Sequence, residues 1–236
     1  PRCAGAMADA AMNGREDAEM GGGAQQGAAN SPPMCSMLEF TQQMMADAED
    51  QKILVPIVAR LIAKLVEEND KLPADTEITV FHAQKSPAVN VMDYAERIAK
   101  YSSCSCCCFV VGVIYMDRFI QQQRALQRDF RVNSLNVHRL MLSSVMVAAK
   151  FLDDFYYSNE FWAKIGGVPN GELNTLELEF LFLTNFELHV RRDTYDGYRN
   201  ELLAWNAGKY ENGQNNTLLT KSLSEVLALQ SAGGFG

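Results

Sequence analysis

The first strong pattern of apolar and polar positions lies between residues 54 and 69. Apolar side chains recur there at intervals of three and four, at Leu54, Ile57, Val58, Leu61, Ile62 and Leu65. This spacing predicts an amphipathic helix. Pro56 is tolerated only in the first turn of a helix, because it lacks an N–H donor, so the helix is expected to begin near Leu54. Residues 70–86 follow as a predicted loop that packs at a few points, including an apolar stretch at 78–81.

Five further helices are predicted between Pro87 and Trp205. The first has Asn90 as its N-cap with Asp93 three residues later, a pairing that satisfies amides at a helix start. Its expected buried stripe is Val91, Tyr94, Ile98 and Tyr101.

Two of these helices are expected to be central. The second, residues 106–122, is apolar on nearly every face, which is typical of a helix in the middle of a bundle. The third, residues 135–152, carries small residues such as Ser144, Ala148 and Ala149 that allow neighbouring helices to approach closely.

The last two predicted helices complete an all-α domain. One begins at Asn170 and the other has Asp193 as its cap, while a short helical turn at 158–165 stops at a glycine pair. No segment of this region shows the pattern of a strand. The former helix carries apolar side chains at Leu173, Leu176, Phe180 and Leu183, and the latter has Tyr195, Tyr198, Leu202 and Trp205 on one face.

The two ends of the chain differ from its middle. Residues 1–33 are rich in Ala, Gly and Met, and such a segment cannot bury enough apolar surface to offset its chain entropy, so a disordered tail is predicted. An amphipathic helix is expected from Thr217. The predicted layout is a tail at 1–33, a helix and loop at 34–86, a five-helix domain at 87–205, and a linker with a closing helix at 206–236.

Composition and charge narrow the classes of function. Of the 236 residues, 47% are apolar and 21% charged, as in ordinary globular proteins. No run of about 18 apolar residues and no secretion signal is present, so neither a membrane protein nor a secreted one is expected. The net charge of −8 argues against nonspecific binding of nucleic acid, which requires a basic surface. Protein partners are the better hypothesis.

Four cysteines, Cys104, Cys106, Cys107 and Cys108, lie within one short stretch. They make a poor disulfide framework, and adjacent cysteines on a helix point in different directions, so they seldom chelate one zinc ion. We interpret them as reduced, small apolar helix residues. Redox sensitivity and metal binding are the alternatives.

No catalytic or cofactor site emerges from the sequence. The three histidines, His82, His138 and His189, lack the spacing of a metal triad. The cysteine stretch has only Lys100 as a basic neighbour, whereas a cysteine nucleophile needs a base nearby. No glycine-rich phosphate loop precedes a helix. We therefore expect a protein that is not an enzyme, with no cofactor and no small-molecule substrate.

Several strings in the middle of the chain carry a resemblance to a known family. They are YMDRFI at 115–120, NSLNVHRL at 133–140, VAAKFLDD at 147–154, YY at 156–157 and LNTLELEFL at 173–181. In this order and spacing they resemble the cyclin box of P/U-type, phosphate-pathway cyclins, over about residues 87–200. The resemblance implies a regulatory subunit that binds and activates a cyclin-dependent protein kinase in cell-cycle or nutrient signalling, in the cytoplasm or nucleus.

The resemblance also implies a kinase-binding site. In cyclins, a lysine late in the third helix and a glutamate in the fourth hydrogen-bond to the kinase backbone around its mobile αC helix, and Lys150 and Glu177 match these positions. A pair that only joins two helices is the alternative. Asp153, Asp154 and Tyr156 lie in a segment that looks like part of the kinase-facing edge of P/U-type cyclins, although a loop with tyrosine rings packed on the core would have the same sequence.

Asp117 and Arg118 lie on an otherwise apolar helix, where burying a charge is costly without a partner, so a structural ion pair is predicted. In cell-cycle cyclins the matched aspartate pairs with an arginine from a substrate-docking motif, which is absent here because residues 86–90 read SPAVN. Arg97 or Arg118 is the expected partner. A second hypothesis is a cyclin-box adaptor of the transcription machinery, although such adaptors carry two boxes and a basic surface.

Overall fold

A computed structural model describes residues 37–73 and 78–207, with side chains described from residue 52 onward. Over this part of the chain the fold is entirely helical, which confirms the predicted all-α class, and none of its helices combines the length and apolar character needed to cross a bilayer. The predicted tail at 1–33 and the helix expected from Thr217 lie outside the described residues. The helices are α1 (Met37–Asn69), α2 (Val91–Ser102), α3 (Cys107–Ala125), α4 (Val137–Leu152), α5 (Asn159–Gly166), α6 (Asn170–Leu183) and α7 (Arg192–Asn206).

Helix α1 is longer than its apolar pattern predicted. It begins at Met37, so Pro56 lies inside the helix and the expected start near Leu54 is wrong. A proline at this position removes the hydrogen bond to the carbonyl of Lys52, four residues earlier. Because Lys52 is exposed, water can satisfy that carbonyl. The apolar pattern identified the packed part of α1, since Leu54 is fully buried.

The start of α2 is capped as predicted, whereas its predicted buried stripe is partly wrong. The Asn90 side chain accepts a 2.8 Å hydrogen bond from the backbone N–H of Asp93. Tyr101 is 54% exposed, although the other three stripe residues are buried. The buried face passes through Ala95 and Ser102 instead, because these positions lie closer to the line of the stripe on a helix of 3.6 residues per turn.

Helices α3 and α4 form the centre of the domain, as predicted. Nearly all residues of the ranges 108–120 and 137–149 are buried. The two helices approach closely at Gly112, where a Cβ atom would lie 3.1 Å from Cγ2 of Val145 and 3.4 Å from the hydroxyl of Ser144. Small side chains at this crossing therefore permit the close contact that the sequence indicated.

The loop between α1 and α2 is held to this centre by Phe81, which is fully buried. Its ring lies edge-on to Phe119 of α3, with centroids 5.1 Å apart, and to Phe180 of α6, at 6.4 Å. Phe119 and Phe180 stack with centroids 5.6 Å apart. Ile78, by contrast, is 84% exposed, so only part of the apolar stretch in this loop packs on the helices.

Helix α5 ends at its glycine pair, as predicted. Gly167 adopts a left-handed conformation with φ of 70° and caps the helix. A Cβ atom on Gly166 would lie 2.2 Å from Cδ2 of Leu142, so the end of α5 rests directly against α4. The glycine pair therefore serves both the turn and the packing of the two helices.

Helix α7 begins two residues earlier than its predicted cap implies. Its N-cap is Arg191, and Asp193 lies in the first turn, so the predicted cap is wrong. The Asp193 carboxylate accepts the N–H of the adjacent Thr194 at 2.7 Å, a local contact that substitutes for capping. The face predicted for α7 packs on the core through buried Tyr198 and Leu202 and partly buried Tyr195 and Trp205.

Candidate functional site

Lys150 of α4 and Glu177 of α6 form an ion pair at the surface of the domain. Nζ of Lys150 lies 2.6 Å from Oε1 of Glu177, and the two side chains are only 24% and 17% exposed. Asn159, the first residue of α5, connects the pair: Lys150 donates to its Oδ1, and its Nδ2 donates to Oε2 of Glu177 at 2.6 Å. We call these three residues the Lys150 cluster, which brings the end of one helix, the start of another and the middle of a third together.

The sequence did not single out Asn159. An asparagine at a helix start usually indicates capping, so its pattern alone gave no reason to place it beside Lys150. Asn174 of α6 supports it by accepting a 2.7 Å hydrogen bond from Nδ2 of Asn159. Asn174 precedes Glu177 by three residues, a spacing that puts both on one face of α6.

Asp153 follows α4 and turns toward the start of α3. Its carboxylate accepts hydrogen bonds from the backbone N–H of Ser105 at 3.1 Å and from the Ser105 hydroxyl. The thiol of Cys108 lies 3.5 Å from its Oδ2. Asp153 thus joins two segments of its own chain, which the sequence did not indicate. Its contact with a kinase stays a prediction.

An exposed, largely apolar segment extends around Asp153. Within it, Phe155 is 95% exposed and Tyr156 62% exposed, and Asp154 also faces solvent. Tyr157 stacks on Phe161 of α5 with ring centroids 4.1 Å apart, so packing of a tyrosine ring on the domain is observed at this position. We call residues 151–157 the aromatic segment.

Helix α6 and the turn that follows it expose a second set of apolar side chains. Leu178, Phe182 and Phe186 are 56%, 64% and 55% exposed, and the two phenylalanine rings lie edge-on with centroids 5.3 Å apart. Leu178 follows Glu177 directly, so this α6 strip starts beside the Lys150 cluster. Large exposed apolar side chains grouped around polar ones are typical of protein-binding surfaces.

Asp117 is nearly buried on α3 and has hydrogen-bonding partners. The Tyr198 hydroxyl of α7 donates to its carboxylate at 2.7 Å, and Nε2 of Gln121 donates at 3.0 Å. Burial, together with the negative charge of Asp117, raises the pKa of Tyr198 well above its usual range. These bonds satisfy a charge that would otherwise be costly to bury, and they attach α7 to the centre of the domain.

Arg118 reaches the segment between α6 and α7. Its guanidinium donates to the backbone carbonyl of Glu187 and, at 3.0 Å, to that of His189. Arg97, the other expected partner of Asp117, donates to the carbonyl of Lys164 at 3.1 Å. The ion pair between Asp117 and Arg118 therefore stays a prediction, while both side chains have clear roles in holding helices together.

The clustered cysteines are thiols rather than disulfides, and all except Cys107 are buried. This agrees with their interpretation as small apolar residues. Only Cys107 and Cys108 belong to α3, whereas Cys104 and Cys106 precede it. The prediction that all four cysteines are helix residues is therefore wrong for two of them.

Comparison with known proteins finds similarity to cyclins, both in a family model and in individual relatives. The family model described as Cyclin matches residues 36–188. Cyclin-U4-1 of Arabidopsis thaliana is 43% identical over 161 residues, covering 65% of this chain and 78% of that protein. Cyclin-U4-2 of the same plant is 41% identical over 172 residues, covering 70% and 78%. Cyclin-P3-1 of Oryza sativa subsp. japonica is 39% identical over 165 residues, covering 68% and 67%.

Proposed function

The chain belongs to the cyclin family, and from this premise we propose that it binds and activates a cyclin-dependent protein kinase. Cyclins are regulatory proteins, and membership implies a kinase partner in general. The observation that carries the proposal is the Lys150 cluster, with exposed aromatic and aliphatic side chains following Lys150 and Glu177 along the chain. We call the Lys150 cluster, the aromatic segment and the α6 strip together the binding surface.

The Lys150 cluster has hydrogen-bonding capacity beyond its internal contacts. A lysine ammonium has three donors, and Asn159 and Glu177 take two of them. Each oxygen of Glu177 accepts one bond within the cluster, from Lys150 or from Asn159, and retains a second lone pair. The cluster can therefore offer one donor and at least two acceptors to the backbone of a partner. Held in place by its internal bonds, it loses little side-chain entropy on binding.

The apolar parts of the binding surface supply the contact area that polar groups lack. Aromatic side chains are enriched in interfaces because they bury large areas, and tyrosine adds a polar tip. Phe155 is almost fully exposed in the chain alone, so covering it with a partner removes apolar surface from water. Asp154 beside it is suited to an arginine of the kinase activation segment.

The mechanism that we propose needs no chemistry from this chain. A rigid helical surface grips the αC helix of the kinase and favours the inward position, in which the kinase's own lysine–glutamate pair is complete and its activation loop is ordered. The degree of activation is limited by how much more tightly the surface binds the active form than the inactive one. This role, in cell-cycle or nutrient signalling in the cytoplasm or nucleus, is that of a subunit that is not itself an enzyme.

The proposal is tested by purifying the chain with its bound proteins from cells, identifying the kinases by mass spectrometry, and assaying each with and without the chain. We expect at least one cyclin-dependent kinase to be recovered and activated. An adaptor of the transcription machinery would instead retard promoter DNA in a gel at physiological salt. Recovery of no kinase, or of kinases whose activity the chain does not change, would contradict the proposal.

A further inference from the structure

Three potential metal ligands meet where the start of α3 lies against the end of α4. The Sγ atoms of Cys107 and Cys108 and a carboxylate oxygen of Asp153 all lie within 4.8 Å of one another. The hydroxyl of Ser105 lies among them, 3.2 Å from the sulfur of Cys107 and 3.4 Å from that of Cys108, and it donates to Asp153. Neighbouring cysteines on one helix are a weak signal of a site, but here the third ligand comes from another segment of the chain.

The spacing of these atoms is close to what a tetrahedral cation requires. Zinc binds sulfur at about 2.3 Å and carboxylate oxygen at roughly 2.0–2.2 Å, so neighbouring ligand atoms around it are about 3.5–3.8 Å apart. Atoms already within 4.8 Å of one another reach that spacing by small side-chain rotations. The Ser105 hydroxyl marks the middle of the group, and it either turns away or serves as a fourth ligand.

The ligand types and their burial select the class of ion. Thiolates favour zinc and other thiophilic metals, whereas calcium and magnesium favour oxygen alone. Cys108 is fully buried, while Cys107 and Asp153 are half-buried, so the group is enclosed on one side and accessible on the other. An ion can enter from the accessible side, where water can complete its coordination.

We propose that Cys107, Cys108 and Asp153 form a binding site for a thiophilic divalent cation of the zinc type. Binding releases the two thiol protons, because thiolates are the ligands. The ion then crosslinks the start of α3 to the residue that follows α4, and it stabilises the folded chain by mass action. The site does not depend on the kinase-binding proposal, and a chain that binds no kinase would still bind the ion.

Cobalt(II) is the probe, because it occupies zinc sites and shows thiolate-to-metal absorption when cysteine binds it. The reduced chain of residues 1–236 is used with Cys3→Ser and Cys35→Ser, so that the remaining thiols are the clustered ones. We expect one equivalent of cobalt to give the absorption band, zinc to displace it, and zinc to raise the melting temperature. The absence of a thiolate band at excess cobalt would overturn the proposal.

Matched variants identify the ligands. Cys107→Ser leaves one thiolate and should therefore reduce the band and weaken cobalt binding by about tenfold or more; Asp153→Asn, which can still accept a hydrogen bond from Ser105, should weaken cobalt binding by a similar factor. Cys106→Ala is the control, since this neighbouring thiol is not part of the ligand group. Far-UV circular dichroism checks that each variant is folded. An equal loss of binding in Cys106→Ala and Cys107→Ser, or unchanged affinity in Asp153→Asn, would contradict the assignment.

Discussion

Lys150 and Glu177 lie on different helices, 27 residues apart in sequence, with Nζ and Oε1 separated by 2.6 Å. Both side chains are largely buried, so each is costly to leave without its partner. Asn159 bonds to both and fixes their orientation. A pair held in this way can present its remaining donor and acceptors to a partner in one geometry.

Asn159 offers a first test of this arrangement. Asn159→Ala removes a hydrogen bond to each charge, and we expect it to lower the free energy of unfolding by about 1–3 kcal/mol. Asn174→Ala is the control, because its side chain is exposed and, within the described part of the chain, bonds to Asn159 alone. It should change stability by less than about 0.5 kcal/mol. Urea unfolding measures both; equal effects would mean that Asn159 does not support the ion pair.

The aromatic segment should contribute to binding and not to folding. Phe155→Ala removes a side chain that is 95% exposed, so the melting temperature should stay unchanged while affinity for the kinase falls by on the order of 1 kcal/mol or more. Ile78→Ala is the control, because Ile78 is also highly exposed, at 84%, but lies in the loop after α1 and outside the binding surface. It should leave the affinity for the kinase unchanged. Calorimetric titration compares the two. If Phe155→Ala binds like the unchanged chain, the aromatic segment lies outside the interface.

Two glycines in neighbouring helices test the packing of α5 on α4. In Gly166→Ala the new methyl would lie 2.2 Å from Cδ2 of the fully buried Leu142, and we expect a loss of about 1–3 kcal/mol in stability. In Gly171→Ala the methyl meets nothing within 4 Å, so the higher helix propensity of alanine should stabilise the chain by up to about 1 kcal/mol. Thermal unfolding of both variants measures whether each substitution raises or lowers stability. If Gly166→Ala leaves the stability unchanged, the end of α5 does not pack tightly against α4.

The buried His138 should make stability depend on pH. Desolvation lowers the pKa of its imidazole below the usual 6.5, and its Nδ1 has no hydrogen-bonding partner among the described residues, so protonation in the folded state is unfavourable. The unfolded chain takes up this proton more readily, and stability is therefore full above about pH 6.5 and falls as pH drops toward the lower folded value. His138→Gln cannot titrate and should lose less stability between pH 7.5 and 5.5, as measured by urea unfolding. If the unchanged chain and His138→Gln lose the same stability over this pH range, His138 is not the source of the pH dependence.

The elements of the fold were predictable where a residue's own neighbours in sequence decide its structure. The cap formed by Asn90 and the stop at Gly167 depend on bonds and backbone angles within one turn, and both were confirmed. Pro56 was misplaced because packing and solvation of the helix outweighed one lost hydrogen bond. Tyr101 was misplaced because two smaller residues, Ala95 and Ser102, lie nearer the centre of the buried face.

The candidate site was predictable only where the resemblance to P/U-type cyclins named its residues. Lys150 and Glu177 were found in this way, and the comparisons confirm the family on which they depend. Asn159 could not be found, since nothing local indicates that α5 starts beside Lys150. Asp153 likewise turned out to bond to Ser105, a contact between segments 48 residues apart. Such long-range contacts depend on how helices pack, which the pattern of one helix does not contain.

The central claim is tested most directly by the affinity of the co-purified kinase for Lys150→Ala and Glu177→Ala. Each variant leaves a charge of the cluster without its partner, so we expect binding to weaken by about 2–5 kcal/mol, roughly a 30-fold or greater rise in Kd. Lys164→Ala is the control, because Lys164 forms an exposed ion pair with Glu160 on α5. Calorimetric titration should show the rise for the two cluster variants and not for the control. Unchanged affinity in folded Lys150→Ala and Glu177→Ala would contradict the claim that this surface binds the kinase.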